Sequence, residues 1–180
     1  MLLGSKTTFA IEFEVDDPPA LDAHTLEQHT HYVFGKMCFW VEDSMVGNYE
    51  LGGVLGVATA NFTPLLRNKG SRRDPDLWSK PAEIVYKTID DALYVDSGQT
   101  DEQVSLDAKK YGKFIATPNG FDVFDDWKAY LIQGDTSARY IWKQRYDEGI
   151  VHEALLGVDE FDLRLQEFVD WFNINYGKRQ

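Results

Sequence analysis

The sequence holds one cysteine, Cys38, in 180 residues, so no disulfide can close within the chain and a disulfide-stapled scaffold is excluded. Long apolar runs are also missing. Nowhere do 18 apolar residues follow one another, which excludes a membrane-spanning helix on length. The opening "MLLGSKTTFAIEFEV" lacks a basic segment leading into an apolar run, and Glu12 and Glu14 interrupt its hydrophobic stretch. No secretion signal is expected, and a reducing cytoplasm is the expected compartment. Positive charge is scarce: 18 Lys+Arg stand against 30 Asp+Glu, giving a formal charge of −12 and a sequence pI near 4.6. Such a surface repels nucleic acid and anionic lipid headgroups and attracts a basic protein. The same charge also serves solubility. There is no G-x-S-x-G, no phosphate-cradling glycine loop and no Cys/His framework, so nothing indicates an enzyme, a cofactor or a metal.

What is present belongs to a folded protein. Hydrophobic residues make up 43% and aromatic residues 14% of the chain, and a chain of this length buries roughly 70% of the surface it exposes when unfolded. One domain spanning residues 1–180 is expected. "FAIEFEV" alternates with the period of a strand that has one wet face. "HYVFGKMCFWVE" sets Val33, Met37, Phe39 and Val41 on one face and Tyr32, Phe34, Cys38 and Trp40 on the other. Both faces are apolar, as in a strand covered on both sides or lying under a partner. "EDS" supplies a turn and "MVGNYE" the returning strand.

From Leu51 the spacing becomes helical through Val54, Leu55, Ala58 and Phe62, with Pro64 stopping or kinking the helix. Ser79 and Pro81 open another helix carrying Ile84, Val85, Thr88, Ile89, Ala92 and Leu93. "VDSGQTDEQVSLDAKKYG" reads as polar and exposed. "KFIATP", "DDWKAYLIQ" and "SARYIWKQ" read as three more strands, the last two joined across "GDTS" as a hairpin, that take the first half of the chain as sheet neighbours. Phe161, Leu165, Phe168 and Phe172 then recur at helical spacing behind an acidic first turn. The expected architecture is α+β: a mainly antiparallel sheet of about five to six strands, with helices packed on it and an amphipathic C-terminal helix.

Cys38 lies between Met37 and Phe39 with no glycine elbow or adjacent base, and reads as a buried, inert thiol. His24, His29 and His31 could present imidazoles to a metal, but recognised zinc signatures add cysteine pairs or H-E-x-x-H, and neither is present. A solvated histidine cluster fits better. A small hydrolase or metalloenzyme using these histidines with nearby carboxylates stands as the alternative function, and a structural adaptor as a third. Carboxylates interleaved with aromatic residues have the make-up of a protein interface: Trp40 to Asp43, Tyr49 and Glu50, Phe121 to Trp127, and Tyr140 and Trp142. Many of these rings must also serve the core.

Four segments, "FAIEFEV", "FGKMCFWVEDSMVGNYE", "FDVFDDWKAYLI" and "HEALLGVDEFDLRL", occur in this order, and together they resemble the immunity protein 42 family of bacterial polymorphic toxin systems. The resemblance implies a small cytosolic protein made beside a secreted toxin, which binds the toxin's catalytic domain and protects the producer and its kin. It carries no catalytic residues. Residues 16–31 and 64–111 depart from the family pattern and inherit no meaning. On this reading an acidic face occludes the substrate groove of a basic toxin, such as a nuclease, by taking the place of phosphates. The expected toxin-binding residues are Glu42, Asp43, Tyr49, Glu50, Asp122, Asp125, Asp126 and Trp127.

Overall fold

Phe9, Ile11 and Phe13 alternate with Ala10, Glu12 and Glu14, and this period of two builds the strand around which the first part of the molecule is organised. The computed structural model describes residues 1–16, 33–145 and 149–176. In chain order the strands are β1 (Leu2–Gly4), β2 (Phe9–Val15), β3 (Phe34–Val41), β4 (Ser44–Val46), β5 (Gly53–Val54), β6 (Trp127–Gln133), β7 (Ser137–Gln144) and β8 (His152–Gly157). The α-helices are α1 (Leu55–Arg67), α2 (Pro75–Trp78), α3 (Ala82–Tyr94), α4 (Asp101–Tyr111) and α5 (Glu160–Tyr176). They form two compact units, one from Met1–Arg67, Pro118–Asp126 and Glu160–Gln180, the other from Asn68–Thr117 and Trp127–Asp159.

In the first unit β1, β2, β3 and β4 lie side by side in an antiparallel sheet, and β5 pairs with the start of β3. The register sets Phe9 opposite Val41, Ile11 opposite Phe39 and Phe13 opposite Met37. All six are buried on the inner face. α5 meets this face through rings, with Phe9 and Phe161 centroids 5.3 Å apart and Phe13 edge-on to Phe168 at 5.0 Å. Phe62 of α1 lies 5.9 Å from Phe39 and 5.4 Å from Phe168. Edge and tilted ring pairs of this kind each add about 0.5–1.5 kcal/mol beyond the area they bury. The segment 121–124 completes the core, with Phe124 at 4.5 Å from Phe39. Gly53 is required beside it, because a Cβ there would stand 2.5 Å from Phe121 Cε2.

The second unit is a three-stranded antiparallel sheet, β6-β7-β8, with α2, α3 and α4. Tyr130, Ile132 and Ile141 of the sheet pack with Leu77, Ala82, Val85, Ile89 and Phe114. Arg139 is buried among them, yet its charge is answered: its side chain pairs with Glu153 and donates to the carbonyls of Leu77 (3.2 Å), Trp78 (2.7 Å) and Lys80 (2.9 Å). It thereby closes the C-terminal end of α2, whose carbonyls have no partner inside the helix.

The α+β class, the antiparallel pairing and the C-terminal helix are as the sequence indicates, but the strands divide into two sheets rather than one. The later strands pair with one another, because a short connection between β6 and β7 makes local pairing the shorter path. "KFIATP" is not a strand. Gly112–Phe114 is a 3-10 turn, and only Ile115 bridges to Tyr130. α1 runs through Pro64 to Arg67, and Ile84 is exposed on α3. The polar stretch after Val95 contains α4, an 11-residue helix with no buried residue, held by the Thr100 side chain accepting from Gln103 N–H and by acidic residues at its start and lysines at its end. The histidines His24, His29 and His31 lie outside the described residues.

Candidate functional site

Because strand side chains alternate, the outer face of β2 and β3 carries Ala10 opposite Trp40, Glu12 opposite Cys38 and Glu14 opposite Lys36. Cys38 is fully buried there, and burial, reinforced by the nearby Glu12 charge, pushes its thiol up to about 12. It is no nucleophile, as its strand setting indicates. Around it the polar groups are paired. Glu12 Oε2 accepts from Lys6 Nζ and from Trp40 Nε1, each at 2.6 Å. The Lys6 ammonium sits 4.0 Å from the centroid of the Trp40 ring. The Lys6 hydrogen bond, opposed by partial burial and helped by Trp40, holds the Glu12 carboxyl below its usual range. Further along, Tyr49 O–H donates to Glu14 at 3.4 Å and Lys36 donates to Glu50 at 2.7 Å. Burial and the charges of Glu14 and Glu12 push the Tyr49 phenol up to about 12.

Glu42 and Asp43 form the tip between β3 and β4. Both take left-handed backbone, with φ of 46° and 62°, as a two-residue turn between tightly paired strands demands. Asn or Gly fits such a turn with less strain. The tip is fastened by its own N–H groups, Glu42 to the Thr8 carbonyl at 3.0 Å and Asp43 to the Lys6 carbonyl at 2.7 Å. The returning strand is only Ser44–Val46; Tyr49–Leu51 is a 3-10 turn. Tyr49 and Glu50 therefore stand near the Lys36 end of β3, about 20 Å along the strand from Glu42.

Asp122, Asp125 and Asp126 are exposed around a 3-10 turn, Asp122–Phe124, whose Val123 and Phe124 are buried in the first unit. Asn48 N–H donates to the Val123 carbonyl at 2.8 Å, so the aspartates are tied to the segment that carries Tyr49 and Glu50. Trp127 begins β6 in the second unit, half-buried and opposite Gln144. The expected residues of the first unit thus fall into a tip group and a Tyr49–Glu50 group joined to the aspartates, while Trp127 belongs to the second unit. The residues that sequence reasoning passed over are Lys6, Glu12 and Glu14, which the structure groups around Trp40. A signal was available, since Glu12 and Glu14 point from the face opposite Phe9, Ile11 and Phe13, but the long-range pairing that brings Trp40 beside Glu12 is not written locally.

Among the described residues no three His, Cys, Asp or Glu side chains are grouped to hold a metal, and no helix is long and apolar enough to cross a membrane. The arrangement is one of fixed charges and rings on a sheet face, suited to binding a surface. The model of the family described as immunity protein 42 matches residues 1–171. The chain belongs to the immunity protein 42 family. Membership makes it an immunity protein, which neutralises a toxin protein and is not an enzyme. The fold also resembles the crystal structure of CdiI from Burkholderia dolosa AUO158, with a TM-score of 0.67 at 16% identity over 95% of this chain and 99% of that one. No curated protein matches the sequence.

Proposed function

We infer that this immunity protein works in the cytoplasm by binding a basic toxin domain one to one and occluding its active site. Membership of the immunity protein 42 family over residues 1–171 carries the reading. The net charge of −12 and the exposed carboxylates Glu42, Asp43, Glu50, Asp122, Asp125 and Asp126 support a basic partner. These carboxylates steer and orient the approach, and the rings of Tyr49 and Trp127 supply desolvated contact.

Titration of the cognate toxin domain with the purified chain, reading turnover and complex formation together, tests the mechanism. Turnover should fall to zero at one equivalent, and saturating substrate should slow assembly of the complex. A stable complex in which the toxin still turns over would refute occlusion while leaving binding intact. Failure of the chain to rescue growth of cells expressing the toxin would remove the pairing itself.

A further inference from the structure

The two acidic groups at the ends of β3 are joined by the outer face of β2 and β3, which carries Trp40 and Glu12 at its centre. Met45 stands opposite Trp40 and Leu2 opposite Glu12, with 42% and 43% of their surfaces exposed. Apolar and aromatic groups ringed by charge make up the centre and rim of a protein interface.

The chemistry at the centre is that of a cation receptor. An ammonium over an indole ring and beside a carboxylate gains both ring-quadrupole attraction and a charge-assisted hydrogen bond. Here the chain's own Lys6 fills that position, 4.0 Å from the ring centroid and 2.6 Å from Glu12. Its side chain is 37% exposed, so solvent and a competing cation can reach it. The hydrogen bond from Trp40 Nε1 to Glu12 fixes the indole before any partner arrives, which lowers the ordering cost of binding. Charge favours a cationic visitor: Lys6 and Lys36 each already hold a carboxylate, and among the described residues Glu14 receives only the Tyr49 hydroxyl. The acidic tip adds Glu42 and Asp43 at one end.

We propose that the toxin docks on this outer sheet face and seats a lysine or arginine on the Trp40 ring against Glu12, displacing Lys6. The proposal rests on the reading that this chain binds a basic toxin domain. The test measures dissociation constants of the full chain with the cognate toxin domain, for wild type, Trp40→Ala, Trp40→Phe, Glu12→Gln and Lys6→Met, with Glu83→Gln, an exposed residue of α3 in the second unit, as control. Trp40→Ala and Glu12→Gln should each weaken the complex by about tenfold or more, in the manner of central interface residues. Lys6→Met, which removes the competing ammonium, should tighten it, and the control should leave it unchanged. Trp40→Phe keeps an aromatic face and should lie between wild type and Trp40→Ala; with Glu12→Gln it decides the matter if Trp40→Ala does not fold. Wild-type affinity in Glu12→Gln and both Trp40 variants would overturn the docking face alone, and so would a loss in Lys6→Met as large as that in Glu12→Gln. Absence of any wild-type complex would overturn the toxin-binding reading and this inference together.

Discussion

Replacing the tip Glu42-Asp43 with Asn-Gly separates what the turn does for the fold from what it does for a partner. Both residues hold positive φ, 46° and 62°, a conformation that costs an ordinary L-residue about 1–2 kcal/mol and an aspartate somewhat less. Glycine at 43 relieves that strain but frees the unfolded chain, which takes back about 0.4–1 kcal/mol. Asparagine at 42 tolerates the left-handed region better than glutamate. The backbone hydrogen bonds to the Thr8 and Lys6 carbonyls need no side chain and remain. The net is a gain of about 1 kcal/mol, or roughly 2–4 °C in melting temperature for a chain of this size. The variant also loses two negative charges. If the tip steers the toxin, association slows at low salt, dissociation is unaffected, and the difference closes as salt rises. Thermal unfolding and stopped-flow association read the two effects separately. A lower or unchanged melting temperature would refute the strain argument, and an unaltered association rate at low salt would refute steering by this turn.

Cys38 should resist alkylation by iodoacetamide in the native protein at pH 8 and react at once in denaturant, since the thiol is buried and raised to about 12; mass spectrometry of the labelled chain checks this. Arg139→Leu should cost about 3 kcal/mol in urea denaturation, because it removes a buried, charge-assisted donor from the carbonyls of Trp78 and Lys80 as well as the pairing with Glu153. The Lys6–Glu12–Trp40 tie should contribute stability that is present above the ordinary glutamate value of 4.5 and is lost as pH falls through the depressed folded value. Glu12→Gln should therefore flatten the acid limb of the stability profile, measured as the denaturation midpoint against pH.

Elements whose stability comes from a buried face were legible in the sequence, and those held otherwise were not. β2, α1, α3 and α5 show a period of two or of 3.6 because each turns one side to the core, whereas β3 and β7 are buried on both faces and read as near-continuous apolar runs. α4 buries nothing, so its pattern is silent and only Thr100 and the end charges mark it. In β8 the buried Ala154 and Leu156 alternate with Glu153 and Leu155, and the 62% exposed Leu155 spoils the pattern. The returning strand after Asp43 is short because Gly47, with φ of 106°, turns the chain against Phe124, where a Cβ would meet the ring at 2.9 Å. The candidate site was legible only as a set of residue types. Which carboxylate meets which ring depends on the register of β2 with β3, a pairing across sequence-distant segments.

The excess of negative charge does not by itself distinguish solubility from recognition, but the way the carboxylates are held bears on it. Charges that only keep a protein in solution need no fixed direction, and flexible exposed positions serve them as well as any. Here Lys6, Lys36, Arg73, Lys80, Lys87, Lys128, Arg139 and Arg164 each sit on a carboxylate of the same chain, so much of the scarce positive charge is already committed. The acids of the β3–β4 tip and of the 122–126 segment ride on anchored backbone. Asp122, Asp125 and Asp126 flank the buried Val123 and Phe124, and Glu42 and Asp43 are bound through their own amides to the turn before β2. Fixing a charge relative to a sheet does nothing for solubility, whereas docking in one orientation requires it. The geometry therefore favours recognition, with the Trp40–Glu12 centre lying between the acidic ends it would need to coordinate.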